Sequence, residues 1–115
     1  MMLRIQEITF HLSSNKVIFS HLVELSAGNY VGEISDPYLK GSIPMTKTYT
    51  RLGSLAKNTP EMAFLDIFNT IDRICQNSSL RILEINNPCN CELLASTQQT
   101  TALGGKVTIK VNDPV

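Results

Sequence analysis

The sequence predicts an α+β domain: a mainly antiparallel sheet of about five to seven strands with one amphipathic helix, near residues 60–76, packed on one face. Three observations carry this prediction. The first quarter of the chain alternates apolar and polar residues, with turn-forming residues between the runs. Residues 60–76 repeat apolar side chains at helical spacing. After them, Leu80–Ile85 and Lys106–Val111 return to strand composition. A doubly wound parallel sheet would interleave several helices with its strands, and only one stretch here reads as such a helix.

Ile8, Phe10 and Leu12 alternate with Thr9 and His11. After the turn composition Ser13-Ser14-Asn15, Val17, Phe19, Val23 and Leu25 form the inward set of a second strand, with His21 on the same parity. Leu3 and Ile5 have the opposite parity from Ile8, Phe10 and Leu12, which requires either a β-bulge near Gln6-Glu7 or a strand covered on both faces. Ala27-Gly28-Asn29 is the next turn. Tyr30–Ile34 is a third strand, stopped by Asp36-Pro37, because proline restricts the residue before it and supplies no donor.

Residues 36–46 read as a long loop, with Thr46–Thr50 of β composition after it. Arg51–Lys57 suits the start of a short second helix near 50–57, so strand and helix both stay open over 47–57. For the main helix, Thr59 is the N-cap, Pro60 the first helical residue and Glu61 the complement of the positive helix end. Phe64, Ile67, Phe68, Ile71, Ile74 and Cys75 make its buried stripe and Asn77 stops it. Leu80–Ile85 is then a central strand, Asn86-Asn87-Pro88 a turn and Glu92–Ser96 a further strand. Gly104-Gly105 turns the chain into a last strand with Val107, Ile109 and Val111 inward and Lys106, Thr108 and Lys110 outward.

The length of 115 residues fits a single domain over 1–115. Ten basic residues balance ten acidic ones, so the basic excess of a phosphate-backbone binder is missing and nucleic acid is disfavoured as a partner. Only 17% of residues are charged, which leaves a weakly repelling surface and favours association. Cys75, Cys89 and Cys91 do not suggest a closed disulfide framework. The opening residues reach charge before any run of signal-peptide length, and no apolar stretch is long enough for a membrane span, so a cytoplasmic protein without a membrane partner is expected.

No motif for nucleotide, cofactor or metal chemistry is present, and no cofactor, metal ligand or catalytic residue is assigned. Cys89-Asn90-Cys91 has one intervening residue where structural zinc pairs have two to four, and it lacks a second pair. His21 reads as a satisfied core histidine. His11, on the more polar face with Thr9 and Glu7, is the better general-base candidate. Tyrosine favours binding surfaces, and the 36–50 region carries Tyr38, Lys40, Lys47 and Tyr49, with Arg51 beside it, as a candidate site for a small anionic or nucleotide-like ligand. The function expected is therefore a non-enzymatic binding protein acting through self-association or a protein partner. Ligand binding at those five residues is the alternative, and a small enzyme using a histidine base the third reading.

Overall fold

The computed structural model describes residues 3–42, 46–53, 55–87 and 108–111. It has seven strands and one helix, in the order β1 (Leu3–Leu12), β2 (Lys16–Ser26), β3 (Asn29–Ser35), β4 (Tyr38–Leu39), β5 (Tyr49–Arg51), α1 (Pro60–Asn77), β6 (Ile82–Asn87) and β7 (Thr108–Val111). The strands form one sheet in the order β5-β3-β2-β1-β6-β7, with β4 also pairing β2. All neighbours are antiparallel except β6 and β7. No helix among the described residues is long and apolar enough to cross a membrane.

The β1–β2 turn uses Ser14 and Asn15 in the left-handed region, with φ of 59° and 57°. Its Ser13 exchanges backbone and side-chain hydrogen bonds with Arg81, which fastens the hairpin tip to the entrance of β6. The bulge expected near Gln6-Glu7 falls at Ile5: Arg4 pairs Val23, Gln6 pairs Leu22, and Ile5 is the extra residue. A second irregularity sets Leu12 opposite Ile82 and His11 opposite Glu84. Leu83 is extra there and exposed, so Ile82 and Ile85 are both buried despite their odd spacing.

β2 is apolar on both parities, so alternation alone does not choose its inward face. Pairing with β1 does. Phe10 lies opposite Ile18 and Gln6 opposite Leu22, which puts Ile18, Ser20 and Leu22 toward α1. Val17, Phe19, His21 and Val23 therefore face away from the helix, the reverse of the sequence reading, and Leu25 sits at a register shift between Glu24 and Ser26. Val17 and Val23 are buried on their own side.

α1 begins as expected. Thr59 Oγ1 accepts from the Met62 N–H at 3.2 Å, and Pro60 opens the first turn, where its missing N–H costs nothing. Its stripe of Ala63, Phe64, Ile67, Phe68, Ile71 and Cys75 packs with Ile8, Phe10, Ile18, Leu22, Ile34 and Ile85 in the core. Each such fully buried aliphatic or aromatic side chain stabilises the fold by roughly 1.5–3 kcal/mol relative to exposure. α1 lies so close to β3 that a Cβ built on Gly32 would stand 2.3 Å from Ile67 Cγ1. The helix closes where the Ser78 N–H reaches Ile74 and Cys75 carbonyls, with Ser79 at φ 55° turning the chain toward β6.

Among the described residues of 47–57, the open choice resolves toward strand pairing and not helix. Tyr49–Arg51 is β5, the Leu52 N–H bonds Gly32 O, and Lys57 and Tyr30 exchange both backbone hydrogen bonds. No helix occurs among the described residues of 50–57. Asn86 and Asn87 extend β6 rather than making a turn, because β1 and β7 both pair there. Cys89, Cys91, the strand expected at Glu92–Ser96, Gly104-Gly105 and the inward Val107 lie outside the described residues.

Candidate functional site on the sheet face away from the helix

The face opposite α1 carries Arg4, Phe19, His21, Glu33, Tyr38 and Tyr49. At its centre is Glu33, a carboxylate only 6% exposed. Its Oε1 accepts from Arg4 Nε at 2.6 Å and from His21 Nδ1 at 3.0 Å. The Ile5 bulge delivers Arg4 to this face, and the β2–β3 register sets His21 directly opposite Glu33. A buried carboxylate is costly without partners, and this pair of charge-assisted contacts offsets that cost. Because an ionised carboxylate only accepts, Nδ1 of His21 carries the proton and Nε2 is the basic nitrogen. Burial lowers the His21 pKa, and the Arg4 guanidinium lowers it further, against the opposing pull of Glu33 and Glu7.

Tyr49 on β5 lies over this network. Its ring centroid is 4.8 Å from that of His21, and the Arg4 guanidinium sits 5.0 Å from it. Burial, followed by the charge of Glu7, raises the Tyr49 pKa, so the phenol stays neutral. Beside it, Phe19 meets Tyr38 at 6.2 Å between centroids, and Lys47 Nζ stands 3.8 Å from the Phe19 ring. Such cation–ring contacts contribute about 0.5–1 kcal/mol at exposed sites. Ser35 fixes the joint between β3 and β4: its hydroxyl accepts from the Phe19 N–H and donates to Asp36 O, both at 2.9 Å.

A second polar patch lies across β1 and β6. His11 Nε2 is 3.8 Å from Glu84 Oε2, while His11 Nδ1 and Asn86 Oδ1 are buried without a hydrogen-bond partner among the described residues. His11 is thus half-buried rather than freely exposed.

The structure brings three of the five sequence candidates together: Tyr38, Lys47 and Tyr49 surround Phe19 and His21. Arg51 pairs Glu33 in the β3–β5 ladder, at the rim. Lys40 does not join them. It is exposed on the turn after β4, where its backbone N–H bonds Asn15 O. Arg4, Phe19 and Glu33 were missed by the sequence reading. The signal that could have found Glu33 is the register set by the Gly28 turn, which places residues 21 and 33 opposite each other.

Chemically, the arrangement offers rings, cations and a neutral imidazole. Among the described residues, neither histidine hydrogen-bonds to a serine, threonine or cysteine nucleophile, and no group of three metal-ligating side chains occurs. Elsewhere, a groove of about 400 Å³ runs between residues 52–57 and the outer stripe of α1, and neither histidine lines it. No protein family, curated protein sequence or solved structure matches this chain.

Proposed function

We propose that the chain is a non-enzymatic binding protein that self-associates through the sheet face away from α1. The observation that supports this most is the clustering of Phe19, Tyr38, Tyr49, Arg4 and Lys47 on one face of the sheet. Aromatic residues and arginine are the types enriched in protein interfaces.

Sedimentation equilibrium on the whole chain tests the proposal. A concentration-dependent dimer is expected, weakened at least about tenfold by Lys47→Glu and by Tyr38→Ala, equivalent to about 1.4 kcal/mol each. A monomer up to about 1 mM, a limit of roughly 4 kcal/mol of association, overturns self-association. The second reading, a small anionic ligand on this face, draws support from Arg4 and Lys47 standing beside aromatic rings. Native mass spectrometry separates the two, because a monomer carrying added mass that Lys47→Glu removes supports the ligand.

A further inference from the structure

We infer that the groove between residues 52–57 and α1 is a binding site for a small organic anion, a phosphate monoester or a carboxylate with an apolar end. It lies against α1 rather than on the sheet face away from it, so it stands apart from the self-association proposed above.

Its floor is one stripe of the helix. Asp66, Asn69, Thr70 and Arg73 are spaced i, i+3, i+4 and i+7, so they share a face over about 10 Å of helix length. Its wall is Leu52, Gly53, Leu55 and Lys57, tied to β3 by the Leu52–Gly32 and Lys57–Tyr30 hydrogen bonds. Gly53 turns that wall at φ 78°, a backbone region that L side chains rarely adopt.

The charges converge unevenly. Lys57 Nζ is 3.6 Å from Asp66 Oδ2, and this contact pairs the one acid among the groove's described lining residues. Arg73 has no ion-pair partner among the described residues, and its fork of N–H donors matches the two oxygens of a carboxylate or phosphate. The Asn69 amide and Thr70 hydroxyl add polar groups between the two cations. Leu52 is half-buried in the wall, and Leu55 at its lip is 76% exposed. Arg73 on the floor and leucines along the wall fit a molecule with an anionic head and an apolar body. The volume of about 400 Å³ lies within the range of small-molecule sites.

The test is a titration of the uniformly ¹⁵N-labelled whole chain with phenyl phosphate, followed by amide shifts, with benzoate and inorganic phosphate as parallel arms. Saturable shifts at Gly53, Asn69, Thr70 and Arg73 are expected, weaker for inorganic phosphate, which lacks the apolar end. The stronger of phenyl phosphate and benzoate identifies the head group. Arg73→Gln and Asn69→Asp, both at exposed helix positions, should each weaken binding at least about tenfold. Arg81→Gln, an exposed arginine at the entrance of β6, should leave it unchanged. Absence of saturable shifts, shifts centred elsewhere, or equal loss in Arg81→Gln and Arg73→Gln overturns the inference. None of these outcomes bears on sedimentation, so the two proposals fail separately.

Discussion

Replacing Gly32 with alanine should destabilise the fold, and the reason can be isolated. The new Cβ would meet Ile67 Cγ1 at 2.3 Å, Ile67 Cδ1 at 2.9 Å and Ala63 O at 3.4 Å. Carbon atoms at rest stand about 3.5–4.0 Å apart, so either α1 lifts from β3 or Ile67 leaves its rotamer. Overpacking of this kind costs about 1–3 kcal/mol. Removing glycine's excess backbone freedom returns roughly 0.5–1 kcal/mol, so a net loss near 1.5 kcal/mol is expected. Ile67→Val removes Cδ1 but keeps Cγ1, so it should not rescue Gly32→Ala. Ile67→Ala removes Cγ1 as well. By itself it should cost about 2–5 kcal/mol through lost burial and a cavity. Gly32→Ala added to it should then cost nothing or stabilise slightly, because the new methyl enters that cavity. Urea unfolding of the four chains in this cycle should show a coupling of about 1.5–3 kcal/mol. Additive single and double effects would refute the close approach of α1 to β3 as the cause.

Two further outcomes follow from buried titratable groups. His21 has a folded pKa below its unfolded value of 6.5, so the unfolded chain binds the extra proton first as pH falls. Its contribution is fully present above 6.5 and is lost as pH falls through the lower folded value; urea midpoints measured down through that window should drop less in His21→Gln than in the unaltered chain. An equal drop in both would remove His21 as the source. Cys75 is 1% exposed, and burial, with Asp72 beside it, pushes its thiol up to about 11. In a chain carrying Cys89→Ser and Cys91→Ser, iodoacetamide should label Cys75 only as fast as the protein opens, and rapid labelling at pH 8 in native buffer would contradict that burial.

The helix was fully legible in the sequence because capping, dipole and period all agree from Thr59 to Cys75. The first hairpin and third strand were legible from alternation and turn residues, and the parity change before Ile8 left a bulge near Gln6-Glu7 as one of two readings. What the sequence left unreadable was the face of β2. With Val17, Ile18, Phe19, Leu22 and Val23 in one strand, both parities are apolar, and only pairing with Phe10 and Ile8 chooses between them. That ambiguity hid the candidate site. Assigning Phe19 and His21 to the core removed from consideration the face where Tyr38, Lys47 and Tyr49 meet them. β4 was invisible for another reason: two residues are too few for a periodic signal, and their pairing with Lys16 and Val17 depends on how the chain resumes after Pro37.

The position of β1 bears on how the chain is made. In the finished sheet it is an interior strand, flanked by β2 and β6. β2 follows it after a three-residue turn, whereas β6 begins only at Ile82. At about 5–20 residues per second, a ribosome needs several seconds to carry synthesis from the end of β2 to the start of β6. For that interval the nascent meander bears a strand edge at Thr9–Leu12, beside Phe10, that its own chain has not yet covered. Slowing synthesis between residues 27 and 81 should therefore lower the soluble yield more than slowing it after residue 87.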